Sequence, residues 1–360
     1  MKPAKKILAI KLRKLSEMIV WTGALQALRN AYPDAQIDLL VPEELSHVYK
    51  DFPLVQNIHS VPQEGRFAFL KKLWSLRREH YDLALAFDTN SSVNRWMWAL
   101  RAKETCIHDH TRLKKPFWSS LAVDNLGELA DNLHLDSKVL LALGIQERMP
   151  LPKMFVSERL RKQAFERLNF KFDQSESKRK VVLLPGAELE TKRYPRDLWL
   201  QTLDRISKEK NWLATVIADR QLSESWGLRK ECFRRGIRLY DELSLHDLLA
   251  YLSWFEVAVV NDSAPLHLAS AMGVRTVTLF GPGNLGREHG YPDDAHEAIR
   301  AAVDCRPEGP RENVKFQYCL LTQCSHLSCL RKIEPSEVLQ GVSSQFEAIQ
   351  THRQRAAKRR

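Results

Sequence analysis

The stretch VVNDSAPLHLASAMGVRTVTLFGP, Val259 to Pro282, sets Asn261, Asp262 and Ser263 where an apolar run ends and an amphipathic one begins, with His267 a helical turn further on. Helix N-termini aim unpaired backbone N–H groups at anions. Such a handover is where a ligand is expected in an open α/β sheet, and His267 could orient a phosphate or a sugar there. On the purely structural reading, Asp262 or Ser263 only caps the helix and His267 is a satisfied, half-buried histidine. That covers either residue singly, but not the polar or glycine-bearing ends of the neighbouring runs. LLPGAELETKRYP turns at Pro185-Gly186 and carries Lys192 and Arg193 just before a helix start near Pro195, where a cation suits a diphosphate. A single lysine in an exposed loop would look the same.

LFGPGNLGREHG contains a literal G-x-G-x-x-G at Gly281, Gly283 and Gly286. Pro282 interrupts it and no helical pattern follows, so it reads as a glycine-rich loop lining a nucleotide rather than a dinucleotide fingerprint. No P-loop motif occurs. Near the start, ILAIKL leads into RKLSEM, with Glu17 where a helix opens. A carboxylate in a first helical turn offsets the macrodipole; it is also the group that would take a proton from a sugar hydroxyl. The residues alone leave those two readings even.

The elements that must position these residues alternate. KILAIKL, QIDLLV and YDLALAF read as strands, with helical stretches at Met18 to Asn30 and in FAFLKKLWSLRREH. After the polar stretch KFDQSESKRK the alternation restarts with KVVLLP, WLATVIA, IRLYD, FEVAVV and TVTLFG, separated by helices from about Pro195, after Leu222 and from about Ser244. Strand–helix alternation implies right-handed βαβ units and parallel sheets. The expectation is an α/β chain of two Rossmann-like domains with parallel sheets facing a central cleft. Their limits are set at 1–172, a linker at 173–180, a second domain at 181–335, and a C-terminal helix with a basic tail at 336–360. Ligands in open α/β sheets sit at the carboxyl ends of strands, where all the residues above fall.

Length and composition narrow the class. A chain of 360 residues, 44% apolar, is long enough for two cores. No apolar run reaches the length of a membrane span, and the first residues do not read as a signal peptide, so a cytoplasmic location is expected. Six cysteines without a C-x-x-C pair suit a reducing compartment. Cys319, Cys324, His326 and Cys329 cluster, with Cys305 upstream, but not at the spacings of a zinc ribbon or finger; ordinary thiols are the expected reading. The net charge of +11 points to an anionic partner. Lys11, Arg13 and Lys14 are candidate contacts to it, while HRQRAAKRR reads as a solvated tail. RFAFLKKLWSLRREHY could lie on a membrane, but its spread of apolar residues fits packing on a sheet better.

With those residues placed, the sequence resembles glycosyltransferase family 9, the ADP-heptose:lipopolysaccharide heptosyltransferases. The resemblance covers nearly the whole length: the opening ILAIKLRKLSEMIVWTGALQALRNAYPDAQIDLLV, the loop LLPGAELETKRYP, the run LSLHDLLAYLSWFEVAVVNDSAPLHLASAMGVRTVTLFGP and the closing CLRKIEPSEV. It implies a GT-B fold and a metal-independent, inverting transfer of heptose from ADP-heptose to a sugar of the lipopolysaccharide core. The N-terminal domain would hold the acceptor and the C-terminal domain the donor. Asp262 would bind heptose hydroxyls; Ser263 and Ala264 would offer backbone N–H groups to the diphosphate, with His267 nearby and Gly186 and Gly281 in the surrounding loops. Lys192 would neutralise the departing ADP, and Glu17 falls where the family has its catalytic aspartate.

Two positions depart from the family pattern. Its glycine-aspartate reads Ser16-Glu17 here, which keeps the carboxylate but moves it by about 1.5 Å. Its glycine after aspartate-serine reads Ala264, which is awkward if the backbone there needs φ > 0 or a very close approach to phosphate. Competing readings are a GT-B transferase for another nucleotide sugar or acceptor, a catalytically silent nucleotide-sugar-binding relative, and a nucleic-acid binder. The last lacks a recognisable reader module, and no nucleic-acid partner is expected. The anticipated partners are ADP-heptose and an anionic lipopolysaccharide-core acceptor, with peripheral contact to the inner-membrane surface.

Overall fold

Continuous aliphatic runs such as KILAI and VAVVN make strands covered on both faces, as strands in helix-flanked parallel sheets are. The computed structural model describes residues 3–62, 66–88, 91–109, 121–124, 132–146, 149–168, 178–282, 295–303, 324 and 326–358. Contacts divide the chain into Met1–Phe155 and Val156–Arg360.

In the first unit the strands are β1 (Lys6–Ile10), β2 (Gln36–Pro42), β3 (Asn57–Val61), β4 (Leu83–Ala86), β5 (Glu104–Asp109) and β6 (Leu121–Asp124). They form one sheet in the order β3-β2-β1-β4-β5-β6, and each pairing is parallel. Its helices are α1 (Leu15–Val20), α2 (Thr22–Ala31), α3 (Arg66–Leu76), α4 (Ser91–Trp96) and α5 (Asn132–Ala142). Leu8, Ile10, Leu40, Ala84 and Ala86 pack against Phe69, Leu73 and Leu76 of α3 and against Met97. The helix expected over 18–30 is two helices, α1 and α2, meeting at Trp21. At Gly23 in α2 a Cβ would collide with the Pro150 carbonyl oxygen; only glycine lets the two backbones come so close.

The second unit repeats the plan. Helix α6 (Glu158–Leu168) precedes β7 (Arg179–Leu184), α7 (Arg196–Ile206), β8 (Trp212–Ile217), α8 (Arg220–Trp226), α9 (Leu228–Arg234) and β9 (Arg238–Tyr240). Then come α10 (Leu245–Leu252), β10 (Val257–Asn261), α11 (Ala264–Ala271), β11 (Arg275–Leu279), β12 (His296–Ile299), α12 (Ser328–Arg331) and α13 (Pro335–Lys358). The sheet order is β12-β11-β10-β7-β8-β9, again parallel throughout. Local chemistry sets several boundaries. Asp219 caps α8 by accepting from Leu222 N at 2.8 Å, and Ser244 caps α10 by accepting from Asp247 N at 3.1 Å.

Three expectations about organisation need correcting. The first boundary falls at 155/156 rather than 172, because α6 belongs with the second unit: Trp254 donates to the Arg161 carbonyl at 2.8 Å and stacks with Phe165 at 4.6 Å. The expected linker ends in strand, since β7 begins at Arg179; residues 173–177 lie outside the described residues. The basic C-terminal stretch is helical through Lys358, as a continuation of α13. That helix buries Val338, Val342 and Phe346 in the second core, and Arg353 reaches Glu256 at 2.9 Å. No described helix is long and apolar enough to cross a membrane.

Candidate functional site

Both sheets reverse their direction of winding at one point. In the first, the chain proceeds outward through β1, β2 and β3 and returns to β4 beside β1; in the second, β7 and β10 are the corresponding neighbours. At such a switch point the loops leaving two adjacent strands diverge to opposite faces and open a crevice for ligands. Lys11, Arg13, Lys14 and Glu17 follow β1, Gly186 and Lys192 follow β7, and Asp262, Ser263, Ala264 and His267 follow β10; Gly281 follows β11 instead.

In the second unit, β10 ends in Asn261 and the chain continues through Asp262 and Ser263 into α11. Asn261 is fully buried and ties the two diverging loops together. Its Nδ2 donates to the Pro185 carbonyl at 2.8 Å and weakly to that of Gly186 at 3.3 Å, while its Oδ1 accepts from Tyr194 N at 3.0 Å. The loop from Pro185 to Tyr194 is thus pinned at both ends, and Lys192, in its short 3-10 turn, is carried to Asp262. The Lys192 Nζ lies 2.8 Å from Asp262 Oδ2, with the carboxylate almost completely buried and the lysine partly exposed. The contact is an ion pair. A neighbouring cation is what makes an ionised carboxylate tolerable at such depth.

Ser263 is the N-cap residue of α11 but its side chain does not cap the helix. Its hydroxyl donates instead to the Gly186 carbonyl at 3.3 Å. Ala264 opens the helix, and it is not among the residues with positive φ, so the departure from glycine there carries no backbone strain. Pro265 occupies the first turn, where its missing N–H is not needed. His267 is half-buried on the same helix. Gly186 contributes its carbonyl rather than its lack of a side chain, since a Cβ there would meet only Asp219 at 3.9 Å. Gly281 differs: a Cβ would sit 3.0 Å from Leu330 Cγ, so this glycine makes room for α12. Gly283 and Gly286 lie outside the described residues.

In the first unit, the chain leaving β1 carries Lys11, Arg13, Lys14 and Glu17. Glu17 Oε2 accepts from Arg13 Nε at 2.6 Å, one turn back, and the carboxylate is largely buried. Burial works against the Arg13 charge, but the bond to Glu17 and the fields of Glu17, Asp88 and Asp136 outweigh it and raise the guanidinium above its ordinary value. Lys14 is exposed. Lys11, expected at the surface, is buried, with its Nζ 2.8 Å from both carboxylate oxygens of Asp136. A cation at the end of a central strand has no water to turn to, and a buried acid on α5 answers it. Burial pushes Asp136 up to about 6; Lys11 opposes this, and Glu17 and Asp88 add to it.

Asp88 and Asp136 were not singled out in the sequence. Asp88 follows β4 directly, is fully buried, and accepts from Leu12 N at 2.9 Å; the strand-end rule that selected Asp262 would have selected it. Asp136 sits within α5 with no local signal, and only the fold brings it to Lys11. The cysteines divide. Burial pushes Cys106 up to about 12 and Cys232 up to about 11, which makes them inert thiols. Cys324 accepts from Leu327 N at 3.3 Å and Cys329 is buried, while Cys305 and Cys319 lie outside the described residues. Among the described residues no group of three or more His, Cys, Asp or Glu could hold a metal ion.

Known proteins share this plan. The lipopolysaccharide heptosyltransferase 1 of Campylobacter coli is 23% identical over 301 residues, covering 77% of this chain and 84% of its own. A glycosyltransferase family 9 structure from Veillonella parvula superposes with a TM-score of 0.79 at 19% identity, covering 96% of this chain and 99% of that one. The E. coli ADP-heptose lps heptosyltransferase II gives 0.72 at 17% identity with the same coverage. The two parallel-sheet α/β domains are those of the GT-B heptosyltransferases. The family model of glycosyltransferase family 9 (heptosyltransferase) matches residues 70–318, a span that includes Asp88, Asp136, Lys192 and the whole β10–α11 corner. The chain belongs to glycosyltransferase family 9.

Proposed function

We propose that the protein is an inverting heptosyltransferase that moves heptose from ADP-heptose to a hydroxyl of a lipopolysaccharide-core sugar, in the cytoplasm, with Glu17 as general base. The observation that carries this reading is the Lys192–Asp262 pair at the opening of α11, a cation and a carboxylate beside a helix N-terminus at the switch point. The names of the relatives support the donor and the class of acceptor.

In a single displacement, the acceptor hydroxyl gives its proton to Glu17 as its oxygen bonds to the anomeric carbon of the donor. The bond from that carbon to the diphosphate oxygen breaks, and its electron pair leaves with ADP. Lys192 and the N–H groups opening α11 stabilise the charge that develops on the diphosphate. Asp262 accepts hydrogen bonds from sugar hydroxyls. Arg13 aims the Glu17 carboxylate through their hydrogen bond, and Lys14, with the remaining exposure of Arg13, attracts an acceptor rich in carboxylates and phosphates.

The test is Glu17→Gln. Transfer from ADP-heptose falls by a factor of about 10² to 10⁴, the usual worth of a general base, while donor binding by calorimetry stays nearly intact. Normal turnover in that variant removes Glu17 from the mechanism. A donor panel in which ADP-heptose does not bind and another nucleotide sugar does removes the donor assignment.

A further inference from the structure

Helix α3 has two apolar faces, and the fold uses one. Phe69, Leu73 and Leu76 are buried in the first core, as expected for a helix packed on a sheet. That leaves Phe67, 87% exposed, and Trp74, 56% exposed. Positions 67, 71 and 74 recur at i, i+4 and i+7, so Phe67, Lys71 and Trp74 form one stripe on the solvent side. Lys71 and Arg78 are exposed, and Arg77 lies over the Trp74 ring at 5.2 Å. The 3-10 turn Met97–Leu100 packs beside α3 in the same core and exposes a further aromatic, Trp98, 44% exposed, with Arg95 and Arg101 exposed on either side of it in sequence. Residues 66–78 hold five lysines and arginines and no acid, and the carboxylate of Glu79, which follows them, is taken up by Lys6 at 2.6 Å.

Scattered exposed apolar residues need no explanation, but large aromatics interleaved with cations only are the composition of an interfacial surface. Trp and Phe settle among headgroups, the cations meet lipid phosphates, and an intervening acid would be repelled. We propose that this face of the first unit docks on an anionic phospholipid bilayer, with Phe67 and Trp74 entering the interface and Lys71, Arg77 and Arg78 pairing with headgroup phosphates. Two other occupants fit less well. A second copy would bring like charge onto like charge. Single-stranded nucleic acid needs open ring faces for stacking, and Arg77 already covers one face of Trp74. The inference stands apart from the transfer chemistry, since none of these residues belongs to either switch-point site.

The full chain is co-sedimented with vesicles of equimolar phosphatidylcholine and phosphatidylglycerol, and with phosphatidylcholine alone, at low and high salt. Binding is expected only to the anionic vesicles and to weaken with salt. Phe67→Ser with Trp74→Ser, and separately Lys71→Glu with Arg78→Glu, are each expected to lower the partition coefficient about tenfold or more. Trp74→Phe is expected to keep binding while losing part of the tryptophan quenching by brominated lipids. The proposal is overturned if variants with native circular dichroism and melting temperature partition as the parent chain does. Equal binding to the zwitterionic vesicles overturns it too, as does a dimer in sedimentation velocity that Phe67→Ser disperses.

Discussion

Asn261→Ala should loosen the donor side of the site without touching a residue assigned to the chemistry. The Asn261 side chain is fully buried and satisfies Tyr194 N at 3.0 Å and the Pro185 carbonyl at 2.8 Å, with a third, weaker bond to Gly186 at 3.3 Å. Truncation leaves one donor and one strong acceptor buried without partners. Each costs roughly 1–3 kcal/mol, so a loss of about 3 kcal/mol is expected, before any relaxation that lets water in. For a unit of this size that corresponds to a melting shift of roughly 6–12 °C. Asn261→Asp keeps the shape and the acceptor for Tyr194, but turns an anion toward two carbonyl oxygens; it should be no better than alanine at neutral pH. Because the same amide pins the loop that brings Lys192 to Asp262, ADP affinity should fall as well. Loss of one charge-assisted hydrogen bond weakens binding about tenfold to a hundredfold. Urea unfolding gives the stability and calorimetry with ADP gives the affinity. A stability change below about 0.5 kcal/mol, together with unchanged ADP binding, would refute the view that this amide organises the switch point.

Two further outcomes concern the first unit. The folded chain keeps a proton on Asp136 up to about pH 6, whereas an unfolded aspartate releases it near pH 4, about 3.9. Through that window the folded state binds more protons than the unfolded one, so this group's contribution to stability falls as pH rises and levels off above it. Urea titrations should show this slope in the parent chain and not in Asp136→Asn; equal slopes would assign the pH dependence elsewhere. Tyr81→Phe removes a 2.8 Å hydrogen bond to the buried Asp38 carboxylate, which Gln36 and Asn57 also serve. It should cost about 1.5–3 kcal/mol in urea unfolding, the worth of a bond to a charged group, and leave transfer activity intact.

Much of the architecture is readable from local pattern. The runs named in the sequence became β1, β2, β4, β7, β8, β9, β10 and β11; the central ones are mostly aliphatic because both their faces are covered, whereas β9, at the sheet edge, is only partly buried. The less apolar β3 (NIHSV) and β5 (ETCIHD) do not stand out in that way. The helix starts near Pro195 and Ser244 fall where the local pattern puts them, Ser244 through its capping hydroxyl; the helix expected after Leu222 begins earlier, at Arg220, because Asp219 caps it. The strand-end residues Glu17, Lys192, Asp262 and Ser263 are legible for the same reason: in a parallel sheet the ligand-bearing end of each strand is known once the strand is known.

What only the tertiary structure decided is pairing between distant groups. Nothing near Lys11 in the sequence says that it is buried on Asp136, 125 residues away. Nothing near Asn261 says that its amide holds the loop leaving β7. That Ala264 needs no positive φ was decided by backbone geometry, and that Gly281 makes room for a neighbouring helix by Leu330. Helix α6 is assigned to the second unit by its contact with Trp254, not by its sequence neighbours. Periodicity and capping are short-range and are written in consecutive residues. Charge compensation, close backbone approach and the choice of packing partner depend on which strands become neighbours, and the sheet order settles that.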